Sequence, residues 1–310
     1  MDSTPIKGRG AASQPDGRFQ RRCVDFDPAL AVDPAPTTTL TAMRARRIVS
    51  KNESPDIPFD QSINTYQGCE HGCIYCYARP SHSYLDLSPG LDFESRIFYK
   101  PNAVDCLLAE WQWPGYVVKP ITIGSNTDPY QPAEKKLGLT RALLKEFLRY
   151  RHPVSLISKG TLMQRDVDLL AELAQRGLCS VAISIPTADD ALKRILEPRV
   201  PAAAQRFALI STLRSAAIPV TVMMAPIIPA LNDHEIESII ERAASAGAGR
   251  ATWVLLRLPH ELKSLVREWL EVHYPDRAAH VLSLLQQASG GRDYDNRFGI
   301  RQTGSGVYAA

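Results

Sequence analysis

The sequence predicts an α/β protein in which parallel strands alternate with helices, and three observations carry that prediction. From about residue 60, short apolar runs rich in β-branched residues recur between amphipathic stretches. Such runs are expected of a parallel sheet covered on both faces. Six strand–helix units follow in series, which suits a barrel or an open doubly wound sheet. Polar residues fall just after the first four strands, and a β/α barrel gathers those ends at one mouth where an open sheet would disperse them.

The elements follow in order. Residues 1–55 are rich in Pro, Thr, Ala and mixed charge, with no sustained period. They are expected to form an arm that wraps the barrel or is partly disordered. Its basic clusters, Arg18, Arg21 and Arg22, then Arg44, Arg46 and Arg47, are separated by Asp25, Asp27 and Asp33. A barrel domain is expected over 56–274. Its first strand is 63–66, and 93–100 reads as a strand or a helix entry. A helix at 103–112 precedes the second strand, 120–124, and an amphipathic helix at 140–151 precedes the third, 153–158. A helix at 165–176, closed by Gly177, leads to the fourth strand, 179–185. A helix at 202–217 leads to the fifth, 219–224. A helix capped by Asn232 or Asp233 leads to the sixth, 251–256. Helices are expected at 261–273 and 277–288, and residues 275–310 form a short C-terminal extension ending in a Gly-rich tail.

The 310 residues suffice for one large barrel or two ordinary domains. Hydrophobic residues at 45% and charged ones at 22% suit a globular protein. No apolar run approaches the roughly 20 residues that span a bilayer, and the amino terminus lacks a signal-peptide core. A cytoplasmic location with no membrane partner is expected. A net charge of +3 does not by itself imply nucleic acid, although a local basic patch stays open.

Three of the six cysteines sit in one loop, Cys69, Cys73 and Cys76, in a C-x3-C-x2-C spacing. Thiolates are soft ligands that suit zinc, copper(I) or iron–sulfur clusters. Structural zinc wants four protein ligands, commonly two separated pairs, whereas a [4Fe–4S] cube on three cysteines keeps one iron open. The competing readings are a zinc knuckle completed by His71 and, more broadly, a non-enzymatic zinc or iron–sulfur binding or electron-transfer module. With Tyr75 as the aromatic, C-x3-C-x-aromatic-C resembles the signature of the radical S-adenosylmethionine (SAM) superfamily. That resemblance implies a partial (β/α)6 barrel of TIM type, open on one side. It implies a [4Fe–4S] cluster on Cys69, Cys73 and Cys76, and SAM cleaved to a 5′-deoxyadenosyl radical that abstracts hydrogen. It also implies an electron donor such as flavodoxin or ferredoxin.

The strand ends offer groups that suit SAM. Ser125, Asn126, Thr127 and Asp128 follow the second strand and match an ammonium and a ribose diol; the bland alternative is an Asx-type turn. The run S-N-T-D-P-Y-Q-P resembles the spore photoproduct lyase-like branch, often labelled DNA repair photolyase. In that branch the positions of Ser125, Lys159 and Ser184 bind SAM. Arg199, in E-P-R after the fourth strand, suits a carboxylate clamp or a pair with Glu197. Tyr75 is a candidate support for adenine. The resemblance spans about residues 60–260 and is specific at the cysteine motif. One departure stands out: the stretch 121–125, I-T-I-G-S, lacks the cysteine that returns hydrogen in spore photoproduct lyase, and Cys106 lies far upstream. Thymine-dimer lyase activity is therefore expected to be absent or altered. A nucleic acid and a small molecule or peptide both remain open as substrates, and Lys135, Lys136, Arg141 and Lys145 are the candidate basic mouth.

Overall fold

The structure, a computed structural model, describes residues 5–19 and 37–306. Ten strands occur among the described residues: β1 Thr39–Ala42, β2 Val49–Lys51, β3 Gln61–Ile63, β4 Tyr66–Gln67, β5 Arg96–Tyr99, β6 Ile121–Ile123, β7 Val154–Ser158, β8 Cys179–Ser184, β9 Val220–Ile227 and β10 Arg250–Leu255. They form two mixed sheets. Seven strands follow the order β10-β9-β8-β7-β6-β3-β2, and three follow β1-β5-β4. From β3 to β10 the neighbours in the larger sheet are parallel and in chain order, with β2 antiparallel at the edge. This is an α/β architecture that resembles a partial barrel left open between β10 and β2.

Alternation explains the sheet. Ile63, Ile123, Leu156 and Val181 lie side by side in register, all buried. They pack beneath Leu143, Phe147, Leu170 and Leu173 of the helices Leu139–Arg149 and Val167–Gln175, and Leu213 of Ala203–Ser215 joins the same core. The intervening positions Ser62, Thr122 and Ser155 form the opposite face, where Thr122 Oγ1 and Ser155 Oγ lie 2.8 Å apart.

One expectation needs correction. The run 63–66 is two strands in different sheets, because Asn64 turns its side chain onto the next loop. Its Oδ1 accepts from the amides of Asn126 and Thr127, and its Nδ2 donates to Ser125 Oγ. Within 93–100 the strand reading holds over β5, and a short helix Leu91–Ser95 precedes it. The region read as an arm also carries β1 and β2, and its Gly10 and Ala11 amides donate to Glu94 beside the cysteine loop. Arg21, Arg22, Cys23, Asp25, Asp27 and Asp33 lie outside the described residues.

The C-terminal tail spans the open side of the larger sheet. The amide of Leu255, ending β10, donates to the Gln302 carbonyl at 2.8 Å. On the other side, Gly299 N and Arg301 Nε donate to the Asp56 carboxylate in the loop between β2 and β3. The tail thus ties the two edges together. No helix of the described residues is long and apolar enough to cross a membrane.

Candidate functional site

The three cysteines occupy the loop between β4 and the 3-10 helix Arg79–Leu85. Cys69 and Cys73 are buried and Cys76 is partly so. Two glycines make the loop possible. Gly68 has φ +82°, and a side chain there would meet His82 and Ile97. Gly72 has φ +67°, and its Cβ would lie 2.7 Å from Glu94 Oε2.

Neighbours hold this loop from three directions. Gln131, fully buried, accepts from Glu70 N at 3.0 Å and donates to the Gly68 carbonyl at 3.2 Å. Ile74 N donates to the Leu196 carbonyl and Arg199 N to the His71 carbonyl. Arg79 donates to the carbonyls of Gly72, Cys73 and Gly90 and pairs with Glu94 at 2.5 Å, both side chains having no solvent exposure. Glu94 in turn accepts from the amides of Gly10 and Ala11, which brings the amino-terminal segment over the loop.

Electrostatics marks the cysteines as a group. Burial pushes the thiol of Cys69 well up, and Asp128, Cys73 and Cys76 push it further. Burial also raises Cys73 and Cys76. Three adjacent buried thiolates are unfavourable without a positive centre between them, and a bound cation reverses that balance. Among the described residues, no three His, Cys, Asp or Glu side chains converge on a single-ion position. His71, the ligand a zinc knuckle would need, instead sets Nδ1 at 3.3 Å from Asp128 Oδ2. Three soft thiolate donors in one loop fit an iron–sulfur cluster by their chemistry.

A second layer of side chains faces the loop from β7 and β8. Lys159 Nζ lies 2.5 Å from Ser184 Oγ, 3.5 Å from Glu197 Oε1 and 5.4 Å from the centre of the Tyr75 ring. Tyr75 is buried and donates its hydroxyl to Glu197 Oε1. Arg206, with no exposure, sits 2.8 Å from Glu197 Oε2 and donates to the Ser184 carbonyl at 2.7 Å. Burial raises the Glu197 carboxyl, but Arg206, Lys159 and Tyr75 outweigh it and hold it below the usual carboxylate range.

The loop after β6 is equally ordered. Asp128 accepts from Tyr130 N, as an Asx turn requires, and also from Ser158 Oγ and Lys159 N, both at 2.7 Å. Burial raises its carboxyl, while His71 and these donors more than reverse that. Thr127 is buried and donates to the Tyr66 carbonyl, and Ser125 accepts from Tyr77 through its carbonyl. Glu134, fully buried, anchors the loop through Tyr66 and Arg165. The structure therefore brings Tyr75, Lys159 and Ser184 together beside the cysteines, with Ser125, Asn126, Thr127 and Asp128 on the adjoining loop. Arg199 sets its guanidinium 3.7 Å from Glu70 and donates to Thr38, so the pair with Glu197 weighed for it does not form. Glu197 and Arg206 were missed as partners of the site. E-P-R drew notice only through its arginine, and nothing local marks a residue whose partners lie so far along the chain.

The profile of the radical SAM superfamily matches residues 63–243, more than half of the chain. The chain belongs to the radical SAM superfamily. Among relatives of this radical SAM protein is an uncharacterized protein of Mycobacterium tuberculosis, 35% identical over 233 residues, 74% of this chain and 68% of that protein. An uncharacterized protein of Methanocaldococcus jannaschii is 28% identical over 193 residues, 62% of this chain and 69% of its own. Among solved structures, a mutant spore photoproduct lyase aligns with TM-score 0.59 at 16% identity, covering 84% of this chain and 73% of that one. Spore photoproduct lyase complexed with dinucleoside spore photoproduct gives TM-score 0.55 at 15% identity, over 76% of this chain and 66% of that one. At these identities the likeness concerns the fold.

Proposed function

We propose that this protein is a radical SAM enzyme that holds a [4Fe–4S] cluster on Cys69, Cys73 and Cys76 and binds SAM against it. The observation that carries the reading is the buried three-cysteine loop facing Lys159 and Ser184 across Tyr75. Bound there, a cluster and SAM would supply the one-electron reductive cleavage of SAM to methionine and a 5′-deoxyadenosyl radical, the species that would take a hydrogen atom from substrate. The residues do the rest. Lys159 and the Ser184 hydroxyl receive the methionyl carboxylate. Ser125, Asn126 and Thr127 line the side of the amino group and ribose, where Asp128 fixes the strand end through Ser158 and Lys159. Arg199, held by Glu70 and Thr38, stands beside the cysteine loop. An external one-electron donor of the flavodoxin or ferredoxin kind completes the cycle.

The finer reading is a lyase or modifying enzyme of the spore photoproduct lyase-like branch acting on nucleic acid. It rests on the S-N-T-D-P-Y-Q-P stretch and on the fold. The thymine-specific reaction is not proposed. Among the described cysteines, Cys106 lies on the helix Ala103–Trp111 against the Ala45 carbonyl, and Cys179 opens β8, at the far end from Ser184. Of the basic mouth, Arg141 is committed to Asp166 and Asp168, and Lys135, Lys136 and Lys145 remain exposed.

Anaerobic reconstitution followed by dithionite and SAM tests the reading. The expected outcome is 5′-deoxyadenosine from the wild type and none from Cys73→Ala. A fully loaded protein that neither binds SAM nor forms 5′-deoxyadenosine would overturn it. Substrate class is read from salt: phosphate neutralisation makes nucleic-acid affinity fall steeply with ionic strength, and absent binding at low salt would remove that partner.

A further inference from the structure

We propose that Glu197 is the positioning residue of this site, coupling the tyrosine of the cysteine loop to the lysine that receives the ligand carboxylate. This assignment rests on the reading of Lys159 given above.

Glu197 follows the helix Asp190–Leu196 and has no solvent exposure. Its neighbours fix it: Leu196 takes a backbone hydrogen bond from Ile74, and Arg199 gives one to His71, so the carboxylate is carried on a segment bonded to the cysteine loop. Charge accounting shows what it does there. Lys159 and Arg206 both face the one carboxylate, but unequally. Arg206 is close at 2.8 Å, whereas Lys159 stands at 3.5 Å. Arg206 is the nearer cation and Lys159 the more distant one, oriented by the Ser184 hydroxyl. An ammonium in that condition is aimed at an incoming anion without being spent on an internal pair. The Tyr75 hydroxyl shares Oε1 with Lys159 and fixes which way that oxygen points. Ser184 completes the frame, its hydroxyl on Lys159 and its carbonyl on Arg206. Tyr75 therefore acts on the ligand through Glu197 and Lys159.

Tyr75→Phe keeps the ring and removes only the link to Glu197, so it tests the coupling without creating an unpaired charge. SAM affinity of the anaerobically reconstituted protein is measured by calorimetry for wild type, Tyr75→Phe, Lys159→Met and the double variant. Iron content and thermal midpoint are recorded for each. The expected result is a Tyr75→Phe protein with wild-type iron content whose SAM affinity falls about tenfold, the size of one hydrogen bond to a charged group. In the Lys159→Met background the same change has no further effect, because its route is gone. Losses that add in the double variant would mean that Tyr75 meets the ligand directly, and would overturn the assignment. So would affinity within about twofold of wild type in Tyr75→Phe. Wild-type protein with a full cluster and no SAM binding would instead overturn the underlying reading of Lys159, and this assignment with it.

Discussion

Buried polar residues concentrate where the cysteine loop is held, and each has a specific cost if removed. Arg79 and Glu94 pair with no exposure, and Arg79 also takes three loop carbonyls. Arg79→Met strands the Glu94 charge and should cost roughly 3–5 kcal/mol. Denaturant unfolding of the cluster-free protein checks the cost, and iron content after reconstitution should fall with it. His82 gives a pH signature. Burial lowers its pKa, its Nε2 donates to the Arg96 carbonyl, and Nδ1 has no hydrogen-bond partner among the described residues. A folded pKa below the unfolded value means that the unfolded chain takes the proton first. The contribution is therefore present above the unfolded value, about pH 6.5, and is lost as the pH falls from there through the lower folded pKa. The thermal midpoint should drop between pH 7.5 and 5, and His82→Phe should lower it at pH 7.5 but flatten the slope. At this scale the cysteines were legible because their spacing is local. Glu197 was not, since its bond to Tyr75 joins residues 122 apart.

At the scale of elements, the strands and helices of the larger sheet are readable from β-branched runs and apolar periodicity, because both reflect which face is buried. The run 63–66 was misread for a reason no period contains: Asn64 spends its side chain on three groups of the 125–127 stretch. The amino-terminal segment reads in the sequence only as an arm, and its seat on Glu94, made by the backbone amides of Gly10 and Ala11, leaves no side-chain pattern to read. The C-terminal tail makes a further prediction. Arg301→Ala removes the ion pair with Asp56 and should loosen the tie between the two sheet edges. Amide hydrogen exchange should quicken at Leu255 and across 297–305, while β7 and β8 keep their protection. Unchanged exchange at Leu255 would mean that the tail is held without that pair.

For the whole molecule, six parallel strands in chain order set their C-terminal ends around one mouth, and the smaller sheet hangs the cysteine loop beside it through β4. The C-terminal tail spans the gap between the edges of the larger sheet, and a fold of this kind does not by itself specify a reaction. The proposed function requires that Cys69, Cys73 and Cys76 hold a cluster whose remaining iron is free for SAM. Electron paramagnetic resonance of the dithionite-reduced protein, with iron and sulfide counted on the same sample, tests it most directly. The account predicts four iron and four sulfide per chain and a reduced-cluster signal that shifts on adding SAM. A single zinc, or a cluster signal indifferent to SAM, would contradict it.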